Sequence, residues 1–495
     1  MSTGTIPLPR VSAANGGGRV APHRWGALIV LALAQLVVVL DGTIVNIALP
    51  QAQIDLGLSD GQRQWVVTAY ALAFGALLLL GGRVADYWGR KRTYMVGMLG
   101  FGAASVFGGL AQNSTELIAA RGLQGAFAAL LAPAALALLT VSFPGGKERN
   151  TAFAVFGTVA GTGAAVGLLL GGVLTEFADW RWCLLVNVFF VLVGVVGGFL
   201  FLRESKAEGD NRYDVGGALT VTLGLGSLVY GFSLAEFGWA RWDTIGFLVL
   251  GVLLLAAFVF IESRVAQPLL PLRVVTDRVR GGAFLLQAIS GSAMIGGTVY
   301  LAFHLQIVLG FTPLIAGLAS LPMTVVIMVC APVLTRLLPV IGPRPMMIAG
   351  PLIAAAGLLY LSRITPDGNY FVEVLPGLVI LGLGMANLFI PMQNLALARV
   401  APHDAGAASA TANSAMQIGG SIGLSIFTAF YAAAVSSRTV TDGPSQLAAF
   451  TAGYSATFLA AAIVMAAGSV VAFFMIRGTK EELLPDADAP IAHVG

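Results

Sequence analysis

Charge is what this sequence has least of: of 495 residues only 27 are Lys or Arg and 24 are Asp or Glu, about one in ten where a soluble domain carries about one in four. An ordinary soluble enzyme is excluded on that ground. Histidine and cysteine are scarce as well, with 4 and 2 residues. Cys183 and Cys330 fall in separate apolar stretches, with no C-x-x-C pair and no histidine at a metal-ligating spacing, so both read as packing residues and no metal site is expected. No G-x-x-x-x-G-K-[ST] loop occurs, which argues against nucleotide cofactors and against an ATP-driven pump. The formal charge of +3 is too small and the basic residues too scattered for a nucleic-acid partner. A Ser/His/Asp set and paired intramembrane carboxylates are also missing, so the chain does not read as an enzyme.

What the sequence has in abundance is apolar surface, at 57% of residues. A bilayer span takes roughly 20 apolar residues. Long apolar runs bounded by charges fall near 25–49, 65–81, 93–111, 115–140, 151–174 and 182–202, a block of six. Two more follow near 214–235 and 244–261, and a second block of six near 282–305, 313–335, 345–362, 373–397, 408–435 and 451–476. The expectation is an all-α integral membrane protein of fourteen spans, with the lipid bilayer as its first partner. Its domains read as an N-terminal tail at 1–24, a six-helix bundle at 25–202, linkers at 203–213 and 262–281 around a two-helix insertion at 214–261, a second six-helix bundle at 282–476, and a tail at 477–495. The first 24 residues have no short apolar core or cleavage site of their own, so no removable signal is expected.

Alternating the loops between the two sides puts 21 basic residues on one side and only Arg63, Arg181, Arg241, Arg363 and Arg438 on the other, with Arg121 left inside a span. Retained loops on the cytoplasmic side carry the excess of Lys and Arg. Both termini are therefore expected in the cytoplasm, in a protein of the cytoplasmic (inner) membrane. An internal repeat supports the two blocks: in GGRVADYWGRKRTYMVG and LTRLLPVIGPRPMMIAG, Arg83, Gly89, Lys91 and Gly97 fall on Arg336, Gly342, Arg344 and Gly350 at a constant offset of 253. Paired repeats with a midplane site between them are a secondary-transporter architecture.

Ionisable groups within the bilayer are costly and usually functional. Asp41, in LVVVLDGTIVNIALP, is the one acid well inside a span. Facing a cavity it can exchange a proton; otherwise it is capped by a neighbour such as Thr43. Arg121, with Gln124 three residues on, needs an acceptor, which can be Asp41, carbonyls near the first helix, or the headgroup region reached toward Glu116. Between the second and third helices, GGRVADYWGRKR sets Asp86 four residues before Arg90, beside Gly82 and Gly89, as a conformational latch or as a plain positive-inside anchor. In GTGAAVGLLLGG, Gly163, Gly167, Gly171 and Gly172 form a groove for a neighbouring helix. The remaining polar supply is Asn46, His304, Gln306, Asn387, Asn394, Asn413 and Gln417, read as substrate-cavity lining or as interhelical hydrogen bonds. Trp65 and Tyr70 read as interface anchors or cavity walls.

Taken together these motifs resemble the major facilitator superfamily, specifically its 14-helix drug:H+ antiporter subgroup. The resemblance covers about residues 25–476. LDGTIVNIALP is similar to the subgroup's first-helix signature, which implies that Asp41 takes part in coupling and that Asn46 and Pro50 are structural. GGRVADYWGRKR resembles the conserved loop of the superfamily, which implies a conformational-switch role for Gly82, Asp86, Gly89 and Arg90. RGLQG resembles the fourth-helix motif, which implies proton transfer through Arg121. The fifth-helix motif departs from the subgroup, since Leu168 stands where a proline is usual and the expected kink is lost. No role is inherited by His304. The resemblance implies a secondary transporter that exports a small hydrophobic drug, antibiotic or metabolite in exchange for protons, with no ATP-binding subunit; the alternative is a proton-coupled importer or facilitator of the same fold.

Overall fold

The computed structural model describes residues 24–144, 146–206, 214–265, 267–397, 400, 405–478 and 480–483. Most of both expected tails, residues 207–213 of the expected linker 203–213, and most of the connection at 398–404 lie outside the described residues. Fourteen long helices account for nearly all of the rest, and no strand occurs among the described residues. They are α1 (Arg24–Leu56), α2 (Asp60–Trp88), α3 (Arg90–Gly109), α4 (Ser114–Ser142), α5 (Gly146–Phe177), α6 (Trp182–Phe201), α7 (Val215–Leu234), α8 (Trp242–Glu262), α9 (Arg278–Phe303), α10 (Pro313–Ile341), α11 (Pro343–Leu361), α12 (Leu375–Leu397), α13 (Ala405–Ser436) and α14 (Gly443–Met475). α9 continues into a π-turn at His304–Val308, and α12 is entered through another at Tyr370–Val374. Thirteen of these segments are long and apolar enough to cross a membrane. The exception is α3, whose first residues are Arg-Lys-Arg and whose remainder is diluted with glycine.

Helix ends follow local chemistry more than hydropathy. The apolar run of α2 begins at Trp65, yet the helix starts at Asp60 because Ser59 and Gln62 form a capping box. This corrects the expected outer-loop position of Arg63, which lies inside α2 and is buried at 3% exposure. At the other end of α2, Gly89 takes φ +127°, a conformation L-residues rarely adopt, and the chain turns straight into α3. Its repeat partner Gly342, at φ +87°, does the same between α10 and α11.

The repeat is visible in the packing. In the first half α1 packs on α5 and α6, α2 on α4, α3 on α4 and α6; in the second, α9 packs on α13 and α14, α10 on α12, α11 on α12 and α14. Each pairing recurs eight helices later. Lipid gives helices no hydrophobic reason to associate, so close approach through small residues has to do it. A Cβ at Gly357 would stand 2.5 Å from the Leu381 nitrogen, and one at Gly81 would run into the Ala129 carbonyl. α7 and α8 pack on each other, and α7 rests against α2 and α13.

The halves meet where α5 touches α10, α2 touches α13 and α1 touches α9. The polar links across this seam cluster at the end where α1 turns into α2. Gln306 Nε2 donates to the Ile47 carbonyl (3.0 Å), Leu314 N to Glu176 Oε2 (3.0 Å) and Gln64 Nε2 to Ser425 Oγ (2.5 Å).

Candidate functional site

Asp41 sits midway along α1, fully buried, and side chains from α4 and α6 bond to it. Arg121 Nη1 from α4 donates to its Oδ2 at 2.5 Å. Asn187 Nδ2 from α6 (2.7 Å) and Gln124 Nε2 from α4 (3.1 Å) both donate to its Oδ1. Arg121 is itself only 1% exposed. Its Nε donates to the Val66 carbonyl of α2 (3.1 Å), its Nη1 also to Gln124 Oε1 (2.8 Å), and its guanidinium lies 4.4 Å from the centre of the Tyr70 ring. Tyr70 is held in turn by its hydroxyl, which donates to the Val38 carbonyl at 3.0 Å, and Gln124 by a bond to Ser105 Oγ at 2.8 Å. Of the partners open to Arg121, the structure takes Asp41 and a carbonyl of α2, not the headgroup region near Glu116. Glu116 instead accepts from the start of its own helix, at Gln112 N and Asn113 Nδ2.

Such a cluster satisfies a buried charge pair with neutral dipoles on every side, which is what keeps two ions tolerable away from water. It also gives the carboxylate a removable partner: a proton on Asp41 cancels the charge that holds Arg121, while Val66, Gln124 and Tyr70 still support the cation. Asn187 and Ser105 were not legible as members. Asn187 had one signal, as the only strongly polar side chain in α6, the most apolar stretch of the first half.

Glycines bring α5 against this cluster. A Cβ at Gly163 would meet Val39, one at Gly167 the Thr43 hydroxyl, and one at Gly171 the Ile44 carbonyl at 2.8 Å, all on α1. Gly172 faces the other half instead, where a Cβ would stand 2.7 Å from Leu314 Cα. Leu168, in the place where a proline was usual, packs on Ile47, Ala302 and Leu321 at the seam between halves.

At the α2–α3 end, Arg90 donates to Asp86 Oδ1 through Nε (3.1 Å) and Nη2 (2.8 Å). Glu204, after α6, accepts from the Lys91 and Arg92 backbone N–H groups (3.1 Å each) and so caps α3. Arg83 Nη2 reaches the Pro268 carbonyl (2.8 Å) in the linker before the second half. Gly82 lies beside Pro133 of α4. The loop residues are thus tied to both neighbouring linkers, a contact that spacing within the loop could not reveal.

Against known proteins, the Major Facilitator Superfamily profile matches residues 31–424. The chain belongs to the major facilitator superfamily. Superfamily relatives of high similarity include the puromycin resistance protein pur8 of Streptomyces alboniger, 46% identical over 93% of each chain. The cephamycin export protein CmcT of Amycolatopsis lactamdurans is 36% identical over 90% of this chain and 91% of its own. The tetracenomycin C resistance and export protein of Streptomyces glaucescens is 33% identical over 86% and 79%. Among solved structures, a bacterial homolog of the human lysosomal transporter Spinster, in an inward-facing and occupied conformation, superposes with TM-score 0.64 over 93% of this chain and 98% of that one, at 18% identity. This is the same fold. The chain is a multi-pass membrane transporter of the superfamily, not an enzyme.

The expected cavity residues of this superfamily member are not brought together. Tyr70 and Gln124 belong to the Asp41 cluster, and Gln306 is spent on the link to Ile47. Trp65 meets the insertion: its Nε1 donates to Ser233 Oγ (2.9 Å) and its ring lies against Tyr230 of α7. Asn394 and Asn413 are exposed and donate to carbonyls of their own helices, at Ile390 and Ser409. Asn387 and Gln417 are half-buried, the latter beside Gly75 of α2. Asn46 is buried with its side-chain oxygen unpaired, and His304 is buried with both ring nitrogens unpaired, edge-on to Tyr454. The second half holds only a narrow apolar crevice, with Met294, Met323, Met385 and Phe458 among its walls. Two further features lay outside the sequence reading. Arg63 is buried among aromatic rings of the second half, and Asp214 and Glu262 converge over Gly217 where α7 begins and α8 ends.

Proposed function

We propose that this protein exports a small hydrophobic, antibiotic-like compound across the cytoplasmic membrane in exchange for protons, by alternating access. The observation that carries the coupling is the buried Asp41–Arg121 pair, in which one carboxylate holds one cation and, among the described residues, nothing else of opposite charge is bonded to either. Protonation of Asp41 neutralises the carboxylate and frees Arg121 to turn toward Val66 and Tyr70. That shift loosens α1 against α4 and changes how α1, through Gly163, Gly167 and Gly171, sits on α5 and hence on α10. The names of the relatives, three of which are resistance or export proteins for antibiotics, support the direction and substrate class.

The distribution of basic residues supports an orientation. The basic α2–α3 end faces the cytoplasm with both termini, the α1–α2 end faces outward, and the rocking bodies are residues 25–202 and 282–476 with 214–261 as a passenger. The seam links gathered at the α1–α2 end then describe a conformation closed to the outside.

The test is uptake of lipophilic dyes and antibiotics, puromycin included, into inside-out vesicles under an imposed proton gradient. Wild-type uptake should collapse with a protonophore and in Asp41→Asn, which should still insert and elute as a single species. Gradient-dependent uptake by Asp41→Asn equal to wild type would remove Asp41 from the mechanism.

A further inference from the structure

Arg63, at 3% exposure, is a buried guanidinium that the coupling cluster does not use. It lies 4.3 Å from the centre of the Phe303 ring, 5.1 Å from Tyr431 and 5.7 Å from Tyr300. These rings brace one another: Tyr431 stacks on Tyr454 at 5.4 Å, and the Tyr300 hydroxyl is hydrogen-bonded to Thr428 Oγ1 at 2.7 Å. A cation at these distances from several ring faces is the arrangement by which proteins recognise organic cations. The ownership of the parts matters more than the distances. All four rings belong to α9, α13 and α14 of the second half. The cation and its polar partners, Asp60 at 3.0 Å and Gln53 at 3.3 Å, belong to α1 and α2 of the first. Arg63 Nη2 has no hydrogen-bond partner among the described residues, which leaves the rings as the surroundings of that side of the guanidinium.

Parting of the halves at this end therefore withdraws Arg63, Asp60 and Gln53 as one piece and leaves the rings behind. We infer that Phe303, Tyr300, Tyr431 and Tyr454 form a binding site for the cationic group of an organic ammonium or amine, occupied in the closed state by Arg63 as a tethered stand-in. A transported cation takes the vacated place on the outward side, and the return of α2 puts Arg63 back and displaces it to the exterior. This rests on the export reading for its direction. The cage itself does not depend on proton coupling.

The test separates the two. Equilibrium binding of choline and of its uncharged isostere 3,3-dimethylbutan-1-ol is measured on the purified full chain, with no gradient, for Arg63→Ala and for Arg63→Ala combined with Tyr431→Ala or Phe303→Ala. Arg63→Ala should prefer choline by at least about tenfold, and either ring deletion should erase the preference. Equal binding of the two ligands, or a preference that survives both ring deletions, overturns the proposal. Should Arg63→Ala fail to fold, the readout moves to wild type and Tyr431→Ala in vesicles. Choline presented at the α1–α2 end should inhibit dye export more than the isostere does, and Tyr431→Ala should abolish the difference; equal inhibition in wild type overturns the proposal. Failure of Asp41→Asn to lose coupling would sink the function proposed above and leave these binding results intact.

Discussion

Removing the charge of Asp41 should cost more than removing that of Arg121, and the two losses should not add. In Asp41→Asn the amide oxygen can still accept from Gln124 and Asn187, but the amide N–H₂ then faces the Arg121 donor that now bonds Oδ2 at 2.5 Å. A buried guanidinium is left without its counter-charge, a situation that costs about 3–5 kcal/mol. The Val66 carbonyl, Gln124 and the Tyr70 ring remain as partial support, which places the expected loss near the lower limit, about 3 kcal/mol. Arg121→Gln leaves a carboxylate that can relieve its burial by taking up a proton, so its cost should be about 1–3 kcal/mol, that of an imperfectly satisfied buried polar group. The double variant holds only neutral amides around residue 41, and should be more stable than the sum of the singles predicts by about 1–3 kcal/mol. Reversible unfolding in mixed micelles, followed by tryptophan fluorescence, gives all three values. An additive double variant, or Arg121→Gln less stable than Asp41→Asn, would refute the description of this pair as mutually dependent ions.

Two further substitutions probe the conformational cycle. In Gly317→Ala the new methyl would lie 2.6 Å from the Leu168 carbonyl of α5, a backbone atom that cannot swing aside. The α5–α10 contact should open, and single cysteines placed near Leu314 should react with a membrane-impermeant maleimide several-fold faster than in the wild-type background. Asp86→Asn removes the acceptor of a partly exposed i,i+4 pair worth only about 0.3–0.5 kcal/mol. The thermal midpoint should hold steady while the export rate falls, and a parallel loss of both would mean that Asp86 serves the fold and not the cycle.

The fold was open to reading because a bilayer imposes a minimum apolar length on every span, and because the two halves repeat at a fixed offset. Asp41 and Arg121 stood out for the same reason: few ions survive in such surroundings, and each stays where something answers it. Arg63 was misplaced because hydropathy marks where a helix becomes apolar and not where it begins; the Ser59–Gln62 box was the better marker. Asn394 and Asn413 show the converse limit. Helical spacing puts a polar residue on a face, and only tertiary packing decides what that face looks at. Glu204 was out of reach altogether, since it meets the α3 N-terminus from more than a hundred residues away.

The insertion makes the two seams of the molecule unequal. α7 lies over the junction of α2 with α13, holding Trp65 through Ser233 and Tyr230, so that junction has protein on its membrane side. The opposite junction, of α5 with α10, has no such cover among the described residues, and Val166, Val173, Ile315 and Leu318 beside it are exposed. The two seams thus differ in their borders: one is walled by a helix of the insertion, and the other is edged only by bare aliphatic side chains and held by the contact where Gly172 and Gly317 let two backbones touch.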